Sequence, residues 1–213
     1  MSLDVFTIGH STHSIDALLK LLSAHHIEAV ADVRSAPYSR FNPQFNRKEF
    51  QTALSDIGVR YVFLGKELGA RSDDAACYTG DKVQYDRLAK TTLFQSGLNR
   101  ILEGAKSYRI AMMCAEKDPL ECHRTILVAR ELLRRGVDVT HILADGSTET
   151  HMNSIDRLVS ELGLSTDDMF RSRDDAIRDA YAKQAEKIAY DRSGHQSNVD
   201  AQDDEQLDAR KVV

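Results

Sequence analysis

The stretch YRIAMMCAEKDPLECHRTILVARELLRRG, residues 108–136, decides the fold class. It opens on an unbroken apolar run, Ile110 to Cys114. Five residues are too few for a helix and suit a strand covered on both faces. A polar turn follows. Asp118 can cap a helix, Pro119 suits its first position and Glu121 its third, a capping-box variant. This spacing predicts a helix over 118–135, stopped at Gly136, with Cys122, His123 and Arg124 in its second turn.

The same unit recurs on either side. LDVFTIGH reads as a first strand, and SIDALLKLLSAHHI places apolar residues at 15, 18, 19 and 22, one helix face. IEAVADVRSAP is a second strand. RKEFQTALSDIG is a helix stopped at Gly58. VRYVFLGKELG is a third strand running into a loop, residues 69–85 are irregular and polar, TTLFQSGLNRILEGAKS is helical, and VDVTHILADG is a last strand. Strands alternating with helices predict an α/β protein, with a mainly parallel sheet and helices on both faces.

The chain has 213 residues, 42% of them hydrophobic, enough for one sizeable core. We expect an α/β domain over residues 1–164. Residues 165–190 should be a C-terminal helix docked by a sparse stripe of Phe170, Ile177, Tyr181 and Ile188. Residues 191–213 are polar and acidic and are expected to be a disordered tail. No apolar run reaches the roughly 18 residues of a membrane span. Three cysteines without a signal-peptide pattern lead to the expectation of a reducing, cytoplasmic setting. Residues 165–213 carry 12 acids against 8 Lys and Arg, and the rest is near balance, 21 against 20. A duplex nucleic acid is therefore not an expected partner. A homodimer is left open.

In open parallel sheets, ligands bind outside the carboxyl ends of the strands. The distinctive polar residues collect there. His10 and Ser11 follow strand one, Asp32, Arg34 and Ser35 strand two, Cys114 and Glu116 strand four, Asp145 the last strand, with His151 just beyond. His10 or His151 is the candidate general acid or base. Asp32 or Glu116 would orient a histidine, and Cys114 is the nucleophile if the chemistry is covalent. Arg34 and Arg124 would bind an anion. His123 and Asp145 join the binding set, as do Ser39 and Asn46 from the loop SAPYSRFNPQFNRKEF, a candidate substrate cover. Each has a plainer reading. His10 can cap a helix, Asp32 and Arg34 can be a structural ion pair, and Phe41 and Phe45 can anchor an ordinary loop. Cys122 can be a core residue in line with Ile126, Ala129 and Leu133. A Cys-x5-Arg phosphatase loop would need arginine at 120, where Leu120 stands. A metal would recruit Cys114, Cys122 and His123, with His10 or His151. Their spacing lacks the tight pairs of zinc sites, so neither metal nor other cofactor is expected.

TIGHST, DVRSAPYSRFNPQFN, GVRYVFLGKELGAR, MMCAEKDPLECHR and HILADG followed by His151 together resemble the domain-of-unknown-function family 488, over about residues 4–155. Ala70 departs from it, where a second glycine would stand. The resemblance implies a Rossmann-like domain of bacterial or archaeal type and brings no reaction. Its motif residues include Pro37 and Gly146 and otherwise coincide with the rim residues and the Cys122–Arg124 segment. The leading expectation is an enzyme, hydrolase or transferase in type, acting on a small anionic substrate (nucleotide, phosphate or carboxylate). The alternatives are a non-catalytic ligand sensor or interaction module, and a metal or thiol redox protein.

Overall fold

The computed structural model describes residues 3–164 and 172–193. Its main sheet has six strands: β1 (Leu3–Gly9), β2 (Ala29–Asp32), β3 (Arg60–Phe63), β6 (Ile110–Cys114), β7 (Val137–Ile142) and β8 (Thr148–Thr150), in the order β3-β2-β6-β1-β7-β8. The first five are parallel, and β8 runs antiparallel to β7 at the edge. The fold is α/β and Rossmann-like.

Helices cover both faces. On one, α1 (Ile15–Ala24) and α2 (Arg47–Asp56) bury Leu18, Leu22, Phe50 and Leu54 against Phe6, Ile8, Val30 and Met113. On the other, α5 (Thr92–Ala105), α6 (Arg130–Leu133) and α7 (His151–Glu161) pack over Val5, Ala31, Ile110 and Met112. Ser14, Thr91 and Thr150 cap α1, α5 and α7 by accepting from a backbone N–H in the first turn. Burying a side chain such as Phe50 or Leu54 stabilises by roughly 1.5–3 kcal/mol each. These two layers are what hold the strand ends in register.

The segment that fixes the fold is more broken than its periodicity suggests. Asp118 caps a single 3-10 turn, Pro119–Glu121, by accepting from Leu120 N at 2.9 Å. Cys122 is then fully extended, with φ −135° and ψ 140°. A π-helical segment, Arg124–Ala129, leads into α6. The expected continuous helix over 118–135 is therefore corrected to a turn, an extended residue and a helix starting at His123. Glu121 does not close a capping box, because its carboxylate accepts from Lys187 and Gln184 of α8 (Arg173–Ile188).

Three further elements lie where the sequence reads as loop: α3 (Gly65–Leu68), the hairpin β4 (Tyr78–Thr79) and β5 (Lys82–Val83), and α4 (Tyr85–Leu88). Helix α8 docks through Ala176, Ala180, Tyr181 and Gln184, while Ile177 and Ile188 are only half-buried. Phe170 lies outside the described residues. Asp191 forms a bridge to Lys82, and Arg192 stacks over Tyr78, so the docked chain continues to residue 193. The remainder of the expected tail lies outside the described residues. No helix among those residues is long and apolar enough to cross a membrane.

Candidate functional site

The chain leaves β1 toward β2 and leaves β6 in the opposite direction, toward β7. The carboxyl ends of the adjacent strands β1 and β6 are thus the topological switch point, where such sheets bind ligands. The two loops there run side by side. His10 N donates to Cys114 O at 2.9 Å and Ser11 N to Ala115 O at 2.8 Å. Ser11 has φ 47°, a left-handed conformation unusual for a non-glycine residue. Gly9 is required by this approach, because a Cβ there would overlap the carbonyl oxygen of Glu116.

A cleft of about 270 Å³ opens on this rim. Cys114, Glu116 and His123 line it, with Arg34 and Ser35 from the loop after β2, Arg71, Tyr85 of α4, and Ile188 and Tyr190 from the end of α8. That volume is at the small end of the range for small-molecule sites.

Two thiols, an imidazole and a carboxylate meet at this cleft. One ligating atom from each of Cys114, Glu116, Cys122 and His123 lies within 4.8 Å of all the others. Extended Cys122 makes this possible, since a helical conformation there would turn its side chain elsewhere. His123 Nε2 lies 3.0 Å from Val33 O and donates to it, so Nδ1 faces the sulfurs, 3.7 Å from Cys114 Sγ and 3.9 Å from Cys122 Sγ. Cys122 Sγ is 2.8 Å from Glu116 Oε2 and accepts from Arg124 N at 3.4 Å. Glu116 is an exposed residue, but its carboxylate turns toward Cys122.

Burial and the neighbouring Cys122 charge push the Cys114 thiol well above its usual range. For Cys122, burial acts upward too, but the hydrogen bond from Cys114 and the charges of Arg124 and His123 outweigh it and hold this thiol well below. Burial raises the Glu116 carboxyl, and the adjacent sulfur adds to that. The two thiols are thus shifted in opposite directions, and Glu116 lies close enough to share a proton with Cys122.

Arg124 is fully buried in the wall of this cluster. Nη1 and Nη2 donate to the carbonyls of Glu116 and Lys117, fastening the loop, and Nε has no partner. Among the described residues its guanidinium forms no ion pair with a carboxylate.

Arg34 is held rigidly by Asp32, which is wholly buried. Arg34 Nε donates to Asp32 Oδ1 at 2.9 Å, and Nη2 to Oδ2 at 2.6 Å and to Phe45 O at 2.8 Å. Tyr61 OH takes the remaining position on Oδ2. Asp32 therefore orients an arginine, not a histidine, because its oxygens are filled. His10 lies behind this pair, stacked on Phe45 at 4.4 Å. Its Nδ1 donates to Ser11 O and its Nε2 accepts from Arg34 Nη1 at 3.3 Å. Burial drives the His10 pKa down to about 4, so the ring is neutral near pH 7 and its lone pair is spent on Arg34. The imidazole that faces the thiols is His123.

The other candidates lie apart from the cleft lining. Ser39 Oγ accepts from Phe41 N and Asn42 N, and Asn46 Oδ1 accepts from Ser39 N, so both stitch their own loop. Asp145 is fully exposed and accepts from Ser147 N and Oγ within its turn. His151 begins α7, buried beneath α8, where Nδ1 faces His141 Nε2 at 3.1 Å and Nε2 faces Tyr181 OH at 2.7 Å. His141 Nδ1 in turn meets Thr7 Oγ1 at 2.7 Å. Sequence reasoning missed His141, Tyr61, Arg71 and Tyr85. His141 stands in phase with the buried Val137 and Val139 of β7, and Tyr61 lies on β3, which carries no fully buried residue. Arg71 and Tyr85 sit in the stretch that reads as irregular, and nothing local marks them as facing a cleft.

The model of the domain of unknown function DUF488 matches residues 14–130. That span contains Asp32, Arg34 and the whole Cys114–Arg124 segment, and excludes His10, His151 and α8. No curated protein and no solved structure matches the chain.

Proposed function

Because the chain belongs to the DUF488 family, an assignment that carries no reaction with it, we propose from its geometry that it is an enzyme acting on a small anionic substrate in the switch-point cleft. The observation that carries this reading is the convergence of Cys114, Glu116, Cys122 and His123, all within 4.8 Å, on a cleft that also receives two arginines. Titratable groups with divergent protonation, gathered in a cleft, are what acid–base, nucleophilic or metal-assisted chemistry requires.

Arg34 and Arg71 at the mouth would receive the anionic group. Asp32, Phe45 and His10 take four of the five N–H bonds of the Arg34 guanidinium, which leaves one on Nη1. Arg34 thus offers one oriented donor rather than a two-pronged fork, and Asp32 offsets its charge. Arg71, stacked on Tyr190, brings a second positive charge to the lining.

Titration calorimetry with inorganic phosphate and a nucleoside monophosphate tests this. A charge-assisted hydrogen bond contributes roughly 1.5–3 kcal/mol, so Arg71→Ala is expected to weaken the better ligand about tenfold or more. Equal binding by the wild type and Arg71→Ala, or no binding of either anion, would remove the anionic-substrate reading.

A further inference from the structure

We propose that Cys114, Cys122 and His123, with Glu116 in the fourth position, bind one zinc ion at the floor of the cleft. This deepens the reading above and rests on it only for what the ion would act upon. The sequence spacing argued against such a site, because no tight cysteine pair is present. The fold supplies what the spacing does not: β6 delivers Cys114, and the extended residue after the 3-10 turn swings Cys122 and His123 back onto it.

Three observations converge. The first is distance. A tetrahedral zinc with bonds of about 2.3 Å to sulfur and about 2.0–2.1 Å to nitrogen separates a sulfur and a nitrogen ligand by roughly 3.6 Å. His123 Nδ1 lies 3.7 and 3.9 Å from the two sulfurs. The 2.8 Å between Cys122 Sγ and Glu116 Oε2 is shorter than a shared ion allows and matches a shared proton. Metal binding would release that proton and move the carboxylate outward by less than about 1 Å, on the same bond lengths.

The second is the outer shell. A ligating histidine almost always donates its other ring N–H to a carbonyl, carboxylate or water, and thiolate ligands accept from backbone N–H groups. His123 Nε2 meets Val33 O at 3.0 Å, and Arg124 N donates to Cys122 Sγ at 3.4 Å. Both partners are in place.

The third is charge. Arg124 is fully buried, and among the described residues it has carbonyl partners but no carboxylate ion pair. A buried cation needs a compensating charge, and the charge of Arg124 acts on both thiols of the cluster. Two thiolates, one carboxylate and a divalent ion together carry one negative charge, which this guanidinium neutralises. Two soft sulfurs and an imidazole select zinc over magnesium or calcium. Cys114, Glu116 and His123 face the cleft, so displacement of Glu116 would open a coordination position to substrate. That arrangement is the one that distinguishes a reactive zinc from a closed structural one.

The test uses the reduced, metal-free full-length chain and Co²⁺ as the probe, followed by Zn²⁺ competition. The expected result is about one ion per chain, a thiolate-to-cobalt charge-transfer band with tetrahedral visible bands, and loss of both on adding zinc. Cys122→Ser and His123→Ala should weaken binding by more than the roughly 10–100-fold that loss of an outer-shell partner costs. Cys77→Ser, at a buried cysteine outside the cluster, should leave it unchanged. Glu116→Gln, at a side chain that reaches solvent, retains the fold and should shift the visible cobalt bands. No charge-transfer band in the intact chain, or the same band in wild type, Cys122→Ser and Glu116→Gln, would overturn the proposal. The readout involves no substrate, so failure of the anion titration leaves it standing, and its own failure leaves the anion reading intact.

Discussion

At Gly9 the whole site depends on a missing methyl group. A side chain there would strike the backbone of Glu116, which cannot rotate away as a flexible side chain could. Gly9→Ala is therefore expected to destabilise the protein by about 2–4 kcal/mol, within the range of overpacking and larger effects. Gly104→Ala is the control. Its new Cβ would meet only the Cδ1 of Ile110, and alanine favours the interior of α5. Urea denaturation of both variants checks this: the first midpoint should fall markedly, and a fall of equal size in the second would dismiss the steric argument. At this scale the sequence was informative about which residues matter and poor about what they do. His10, Asp32 and Arg34 stand on the rim as their positions suggest, yet they bond chiefly to one another. Cys122 reads as core because three apolar residues follow at helical spacing. It is buried in the same cluster as Ile126 and Ala129, as that reading expects, but its extended backbone also brings the sulfur to Glu116, and periodicity cannot report a single non-helical residue.

At the scale of elements, β7, α7 and α8 are joined by buried histidines. Thr7, His141, His151 and Tyr181 form one hydrogen-bonded line through the core. Burial lowers the pKa of His151 to about 4 and holds that of His141 well below its usual value. A base whose folded pKa lies below its unfolded value of 6.5 favours the folded state while neutral. Its stabilisation is complete above pH 6.5 and is lost as pH falls from 6.5 toward 4. For His151 alone the loss amounts to about 3 kcal/mol. Unfolding free energy measured by urea at several pH values should fall across that window, and His151→Gln should flatten the fall. An unchanged slope in that variant would show that other groups control acid lability. The repeated strand–helix unit was legible in the apolar runs, because burial on both faces demands them. β8, α3 and the β4–β5 hairpin were not, since two to four residues hold too little pattern to rise above a loop.

For the whole molecule, the outer wall of the cleft comes from the end of α8. Ile188 and Tyr190 close it, and Lys82 with Asp191 ties that end to the β4–β5 hairpin. Two of the four buried residues of α8 are alanines and one is a glutamine, which a search for large apolar residues overlooks. A chain ending at Leu164 would keep the six-stranded sheet but expose the surfaces over Leu120 and His151. It is expected to bind a hydrophobic dye, to unfold at lower urea, and to lose affinity for the anion that the full chain takes up. Unimpaired anion binding by the shortened chain would show that α8 is not part of the site.

The strand order has a consequence for synthesis. β6 lies between β1 and β2 yet is translated after both. When the first hundred residues have left the ribosome, β2 can pair with β3, but β1 has neither neighbour. The nascent chain must then hold an apolar strand unpaired until residues 110–114 arrive. Such long-range parallel pairing is slow and aggregation-exposed. The rim that brings His10 beside Cys114 thus closes late, and folding yield during translation should respond more to what happens to β1 in that interval than to the stability of the finished protein.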